Sequence, residues 1–400
     1  MMKKLQMIQD FLHEKNYDAW VIYDYECHNE AFQEIVGKIF LTRKVFVVIP
    51  KKNHPYMICH KIDVTPLKQN HIDDDFMLHV YQTWDELVNL LHHDLSQYQD
   101  VMMEMSEDGA LPRSSYCDYG TVRLIEKCGV NVHSSADLLM SFIAPFKGES
   151  YDLHLLAMEK VQHIKDEAFS LIEKEIKENH RISEYDVQQF ILRRMQEEDL
   201  VTDEPPVVAI NEHAGNPHYT PNEKEYSYIK PHDLVLIDLW AKCNKENAVF
   251  ADITWMGYVG SVVPNRYNEL FHILEKAIDL GLDFINQNLP NRAVSGYEVD
   301  EVIRNYIKEK GYGNAFIHRT GHSISIDDTP HGKGVNIDSY ETHDTRHLID
   351  NICFSLEPGI YLDDCGFREE IDVYIQNKKA IVSGRRQREM ITMEIGRAHV

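Results

Sequence analysis

Two aspartates set into apolar strands constrain this chain more than any other feature. The segment Asp233-Leu-Val-Leu-Ile-Asp238-Leu-Trp240 places a carboxylate among large aliphatic residues, and Ala251-Asp252-Ile-Thr-Trp255 does so again. Between them Lys242-Cys-Asn-Lys-Glu-Asn247 is polar and turn-prone, so the pair reads as a β-hairpin. Counted outward from Lys245, Asp238 and Asp252 are each seven residues away, which predicts that they stand opposite each other on one face. Two carboxylates on a buried face repel and raise each other's pKa unless a cation neutralises them. One strand aspartate is ordinarily explained by a turn cap or a lysine partner. For two that face each other, a metal site is the better explanation.

Further candidate ligands are dispersed downstream. His318-Arg-Thr-Gly-His322 offers a histidine after glycine, beside small residues that permit close approach. Ser355-Leu-Glu357-Pro-Gly ends a strand in a turn and leaves Glu357 at a sheet end. In the run from Gly366 to Ile375, alternation puts Ile371, Val373 and Ile375 on one face and Glu370 and Asp372 on the other. Glu369 shares the apolar face by parity and is expected to be solvated at the strand's start. The segment Tyr340-Glu-Thr-His-Asp344-Thr-Arg346 reads as a solvated loop. No one of these segments is specific; the set is.

A chain of 400 residues is longer than one hydrophobic core usually serves, so two domains are expected. The first, 1–148, alternates helices at 7–15 and 84–97 with strands at 19–25, 44–50, 55–60, 101–105 and 131–132, an α/β pattern. It ends at Phe146-Lys-Gly148. The second, 149–394, carries helices at 151–179, 183–198, 265–287 and 296–310. Strands at 207–210, 234–239, 249–259, 353–356 and 367–375 lie among them, which is an α+β arrangement. The last six residues, 395–400, fit nothing before them, resemble a translated sequencing adapter and are left out of fold reasoning.

A formal net charge of −24 argues against a nucleic acid or an anionic membrane as partner. Seven scattered cysteines without a CxxC pair read as reduced thiols. The charged amphipathic start and the lack of any run long enough to span a bilayer make a cytoplasmic protein the simplest expectation.

Asp238, Asp252, Gly-His322, Glu357-Pro-Gly and Arg368-x-Glu370 stand in the order seen in the pita-bread metallopeptidases. Over 151–393 the chain resembles that family, which includes methionine aminopeptidase, aminopeptidase P, prolidase and the metal-free creatinase. Pro217-His218-Tyr-Thr-Pro221 is similar to the family's substrate-side histidine motif. The resemblance implies an α+β pita-bread catalytic domain preceded by a smaller α/β domain of the creatinase/prolidase type. It implies two divalent ions held by Asp238, Asp252, His322, Glu357 and Glu370, with Asp252 and Glu370 bridging. Four carboxylates and one imidazole suit manganese, cobalt, zinc or iron without choosing between them, and manganese is the first expectation. It further implies that Glu357 shuttles a proton and that His218 and His331 address the scissile amide. Arg368 would orient carboxylates near the substrate, and Tyr361 would lie beside it. The implied activity is hydrolysis of an N-terminal Xaa–Pro bond, in a peptide or an Xaa-Pro dipeptide, by a metal-bridging hydroxide, in a homodimer.

The sequence departs from that pattern in four places. The interval from Asp238 to Asp252 is fourteen residues, so the hairpin turn is longer than usual. His331 follows His322 by nine residues, also a longer interval. Trp240 and Trp255 stand where a small residue and an arginine are common, which predicts a reshaped substrate pocket. Two rival readings follow: a C–N hydrolase or C–S lyase acting on a small molecule, and a binding protein that keeps only the scaffold.

Overall fold

The computed structural model describes residues 2–395; of the 395–400 tail, only Ile395 lies among the described residues. The chain divides into two compact units that part between Ile143 and Ala144.

The first unit is a six-stranded mixed sheet in the order β4-β3-β2-β1-β5-β6. Its strands are β1 Ala19–Asp24, β2 Val45–Pro50, β3 Tyr56–His60, β4 Met77–Tyr81, β5 Asp100–Met103 and β6 Asn131–Ser134. Its helices are α1 Met2–Lys15, α2 Glu30–Ile35, α3 Val64–Gln69, α4 Trp84–Leu95, α5 Tyr119–Glu126 and α6 Ala136–Ile143. Strand β2 reads Val-Phe-Val-Val-Ile-Pro without alternation because both of its faces are covered. Val45, Val47 and Ile49 meet Ile8 and Leu12 of α1, whereas Phe46 and Val48 meet Leu87 and Leu91 of α4. Short elements such as α2, α3 and β4 carry too few residues for periodicity to reveal them. Asn29 caps α2 by accepting the Ala31 N–H.

The second unit opens with α7 Ser150–Lys177 and α8 Glu184–Glu197. Ser183 starts α8 with a capping box, its hydroxyl taking the Asp186 N–H while the Asp186 carboxylate takes the Ser183 N–H. The strands β7 Leu200–Val201, β8 Val207–Ile210, β9 Leu234–Cys243 and β10 Ala251–Tyr258 follow. Then come α9 Asn265–Asn288 and α10 Gly296–Glu309. The chain continues through β11 Ser323–Ile324, β12 Cys353–Leu356, β13 Gly359–Tyr361, β14 Gly366–Arg368, β15 Ile371–Gln376, β16 Lys379–Ser383 and β17 Ile391–Thr392. One sheet has the order β17-β10-β9-β7, with β8 also on β9; another has the order β11-β12-β15-β16. Val235, Ile237, Leu239 and Ala241 of β9 share a core with Ala251, Ile253 and Trp255 of β10. Val161, Ile164 and Ala168 of α7 and Val187 and Ile191 of α8 complete it. The opposite face of the same hairpin therefore carries Asp238, Trp240, Lys242, Asp252 and Thr254.

The register corrects one expectation. Asp252 pairs with Trp240 and Asp238 with Thr254, which centres the turn on Glu246 instead of Lys245. The two aspartates share a face but stand diagonally, a separation of roughly 7 Å between backbones that leaves space between the carboxylates. The expected continuous strand at 367–375 is interrupted at Glu369 and Glu370. Glu369 is 3% exposed, not solvated, because the β13–β14 hairpin extends the packed structure past the start of β15. Asp344 and Arg346, expected in a solvated loop, are buried as an ion pair at 2.7 Å, while Tyr340 is exposed. Among the described residues no helix is long and apolar enough to cross a membrane.

Candidate metal centre

The two sheets of the second unit meet at β10 and the start of β15. The Glu370 N–H donates to the Thr254 carbonyl at 3.2 Å, and the Thr254 hydroxyl donates to Glu370 Oε2 at 2.8 Å. At that seam the carboxylate of Glu370 and that of Asp252, two residues before Thr254, come together. Asp252, His322 and Glu370 are buried and present ligand atoms that lie within 4.8 Å of one another. Glu357 joins them, with Oε1 3.5 Å from His322 Nε2; Asp252 Oδ2 is 3.6 Å from the same nitrogen.

His322 owes its place to the glycine before it. A Cβ on Gly321 would collide with the Ser355 carbonyl of the adjoining strand, so only glycine lets the segment approach β12. The Ser355 hydroxyl then accepts the His322 N–H at 2.9 Å, and the Ser323 carbonyl lies 3.2 Å from Nδ1. A proton on Nδ1 satisfies that carbonyl and turns the Nε2 lone pair toward Asp252 and Glu357. A lone pair facing carboxylate oxygens near 3.5 Å is repulsive by itself. A divalent cation held among the three groups would remove that repulsion.

The electrostatics agree. Burial first, and then the charges of Glu370 and Asp238, hold the Asp252 carboxyl well above the ordinary carboxylate range. Glu370 is raised in the same way by burial, Glu357 and Asp238. Burial pushes Glu357 up to about 7. At Asp238 burial outweighs the Arg368 guanidinium and again raises the carboxyl. Asp238 Oδ2 takes an Arg368 Nη2 hydrogen bond, but its buried Oδ1 has no hydrogen-bond partner. A buried, partnerless carboxylate oxygen beside three more acids is the signature of a group waiting for a cation.

The supporting residues extend outward from these ligands. Arg368 uses Nη2 on Asp238, Nη1 on the Tyr361 hydroxyl at 3.0 Å and Nε on the Thr254 hydroxyl at 3.2 Å. Tyr361 in turn meets His318 Nε2 at 2.7 Å. His318 Nδ1 bonds the Arg319 carbonyl at 2.7 Å, and burial drives its pKa down to about 3, so it serves as a neutral acceptor for Tyr361. Asp372, fully buried, accepts the Asp252 N–H at 2.9 Å. Neither His318 nor Asp372 was marked by the sequence beyond lying near a ligand. Their parity and spacing are those of ordinary strand and loop residues.

The two substrate-side histidines have different surroundings. The ring of His331 stands edge-on to that of His322, 4.2 Å between centroids, so its lengthened interval still delivers it to the ligand cluster. His218 is exposed, and its N–H bonds Asn216 Oδ1 at 3.1 Å; among the described residues no bond joins its ring to the carboxylates. The segment that bears it is tied down by Glu184, a buried residue of α8. Glu184 accepts the N–H groups of Ile210 and Ser227 and the Tyr219 hydroxyl at 2.6–2.8 Å. The tryptophans also separate. Trp240 lies on the carboxylate face next to Asp252, its indole N–H on Asp203 at 2.7 Å. Trp255 points the other way, into the helix core under Lys165, and so does not reshape a pocket on the carboxylate face.

Comparison with known proteins adds relatives to this geometry. The chain is 29% identical over 239 residues to an Xaa-Pro dipeptidase of Pyrococcus furiosus, covering 58% of this chain and 62% of that one. Its match to a putative Xaa-Pro aminopeptidase of Mycoplasma pneumoniae covers 46% of that protein, so the chain spans about half to under two thirds of these curated relatives. The fold is similar to that of dipeptidase PepE from Mycobacterium ulcerans, with a TM-score of 0.62, 19% identity and 98% of both chains covered. This likeness covers both units and bears out the expected architecture, a pita-bread unit preceded by a smaller α/β unit. Residues 157–377, more than half of the chain, match the profile of metallopeptidase family M24, and the chain belongs to that family.

Proposed function

We propose that this protein is a dinuclear metal-dependent peptidase that hydrolyses the bond between an N-terminal residue and a following proline. The observation that carries the reading is the buried cluster of Asp252, Glu357, Glu370 and His322, with the charge of Asp238 acting on Asp252 and its Oδ1 partnerless. Their charge needs cations to offset it. Asp238, Asp252, His322, Glu357 and Glu370 would hold two divalent ions. The oxygen-rich set favours manganese over softer ions. Such ions, when bound, lower the pKa of water and polarise the scissile carbonyl. Arg368 fixes the direction of Asp238, and the Thr254 hydroxyl fixes that of Glu370. Glu357, at a sheet end, is suited to take a proton from the attacking water and pass it to the leaving nitrogen. His331, against His322, is suited to hydrogen-bond the scissile amide, with His218 approaching from the exposed side. The names of the relatives support the Xaa–Pro specificity. The position of Trp255 in the helix core removes one of the two features that favoured a small-molecule lyase.

The test is an assay of the purified full-length chain with manganese on Xaa-Pro dipeptides, Xaa-Pro-Yaa tripeptides and Xaa-Ala controls, with and without chelator. Chelator-sensitive cleavage that requires proline is expected. Metal-loaded protein that cleaves none of the proline peptides refutes the assignment.

A further inference from the structure

The two lengthened segments of the sequence, the β9–β10 turn and the interval from His322 to His331, meet in space. They face each other across an open cleft of about 310 Å³, lined by residues 245–248 of the turn and 326–328 of the loop, with Lys242 between them. Such a gap leaves the loop without a packed floor on that side. Lys242 bridges it. Its ammonium group donates to the Asp327 carbonyl at 2.6 Å and stands 3.8 Å from the Asp328 carboxylate.

The lysine itself is held in place. It lies on the same strand face as Asp238 and Trp240, its side chain is only 17% exposed, and its ammonium lies 5.0 Å from the Phe250 ring centroid. Asp328, by contrast, is fully exposed, so the carbonyl bond is the stronger half of the grip. The loop has internal ties at its base. Gly332 N–H donates to the Ser323 carbonyl at 2.6 Å and Gly334 N–H to the Ser323 hydroxyl at 2.9 Å. The Ser325 hydroxyl donates to Asp327 Oδ2 at 2.8 Å. The Lys333 N–H on the Ser325 hydroxyl at 3.3 Å joins 325–327 to that base, and His331 lies in the same loop, edge-on to His322.

We propose that Lys242 is a positioning residue that latches the 325–332 loop across the cleft and so sets His331 against the metal-side histidine. The inference rests on the proposed role of His331 at the scissile amide. Removing the latch takes away bonds to the Asp327 carbonyl and the Asp328 carboxylate, neither of which belongs to the five proposed metal ligands. It frees the loop and misplaces His331, a shift that lowers turnover without any loss of metal.

The experiment uses the full-length chain as Lys242→Met, which keeps the aliphatic stem over Phe250, together with Lys242→Arg, His331→Ala and the double variant Lys242→Met/His331→Ala. Metal content, hydrogen exchange of the peptide covering 326–332, kcat and KM are read for each. Expected are unchanged metal content, exchange in 326–332 faster by about tenfold in Lys242→Met, and protection restored in Lys242→Arg. A loss in kcat/KM of about tenfold is expected in Lys242→Met, and it disappears when His331 is already alanine. Unchanged exchange in Lys242→Met, or losses that add in the double variant, overturns the latch. Should the wild-type chain cleave no proline peptide, the exchange and metal readouts still decide the latch, while the peptidase reading falls separately.

Discussion

Replacing Glu370 by glutamine removes one charge from the cage while keeping its shape. The glutamine oxygen still accepts the Thr254 hydroxyl, and the backbone bond from residue 370 to the Thr254 carbonyl is untouched. Ligand atoms of Asp252, His322 and Glu370 lie within 4.8 Å of one another. At that separation two unit charges in a medium of effective dielectric about 20 repel by about 3.5 kcal/mol. Partial protonation of the cluster near neutral pH reduces this, leaving a relief of about 2 kcal/mol for the metal-free protein. In a unit of this size that is a rise in Tm of about 4–8 °C. With metal the sign reverses. An ion at a hundred times its Kd stabilises the wild type by about 2.7 kcal/mol per site, and the variant, short of a proposed bridging ligand, gains much less. Thermal unfolding of both proteins, first in chelator at pH 7.5 and then over a manganese titration, reads the comparison. The expected order is variant above wild type without metal and below it with metal. A metal-free variant that melts at or below the metal-free wild type refutes the claim that unbalanced negative charge dominates this site.

Two further outcomes follow from buried carboxylates outside the cage. In the first unit, Glu104 accepts the Trp20 indole N–H, an Asn29 amide N–H and the Ser135 hydroxyl, and burial pushes its pKa up to about 7 from 4.5. The folded state then binds the proton more tightly than the unfolded one, so the contribution to stability is full below about pH 4.5 and is lost as pH rises through 7. Denaturant unfolding of wild type and Glu104→Gln should show their stability difference shifting against the wild type by about 3 kcal/mol between pH 4.5 and pH 8; a constant difference contradicts the assignment. Glu184→Gln leaves the buried donors of Ile210 and Tyr219 and the half-buried N–H of Ser227 with one acceptor oxygen in place of two, so a destabilisation of about 2–3 kcal/mol is expected. Because that carboxylate also ties down the segment bearing His218, KM for peptides should rise while metal content stays constant, and an unchanged KM tells against a role for that segment in substrate binding.

The cage was legible because the chemistry that builds it is conspicuous in one dimension. An aspartate amid Leu-Val-Leu-Ile or beside Ile-Thr-Trp has no business in a buried strand unless something neutralises it, and parity together with a symmetric count across the turn places Asp238 and Asp252 on one face. Long periodic helices such as α7, and strands bounded by turns such as β8 and β12, were equally plain. Parity failed where the strand was not regular. Glu369 follows the break between β14 and β15, so a rule that assumes a free strand start assigned it to solvent, although the preceding hairpin buries it.

What stayed hidden were contacts made across the fold by residues with unremarkable neighbours in sequence. Asp372 is 120 residues from the Asp252 N–H it accepts, and Lys242 is 85 residues from the Asp327 carbonyl it grips. Neither partnership leaves a local mark, because each is decided by how two sheets and two loops come together. The diagonal register is of the same kind. A symmetric count about Lys245 put the aspartates directly opposite each other, where their carboxylates would crowd one point. The turn instead centres on Glu246, and that one-residue change in its centre offsets the acids by two positions without moving either off the face. The offset opens room between the two carboxylates, and Glu370 enters from the second sheet at the Thr254 seam. The site therefore depends on a turn centre that local pattern left open by one residue, and β9, which leads into that turn, carries Lys242 to the His331 loop.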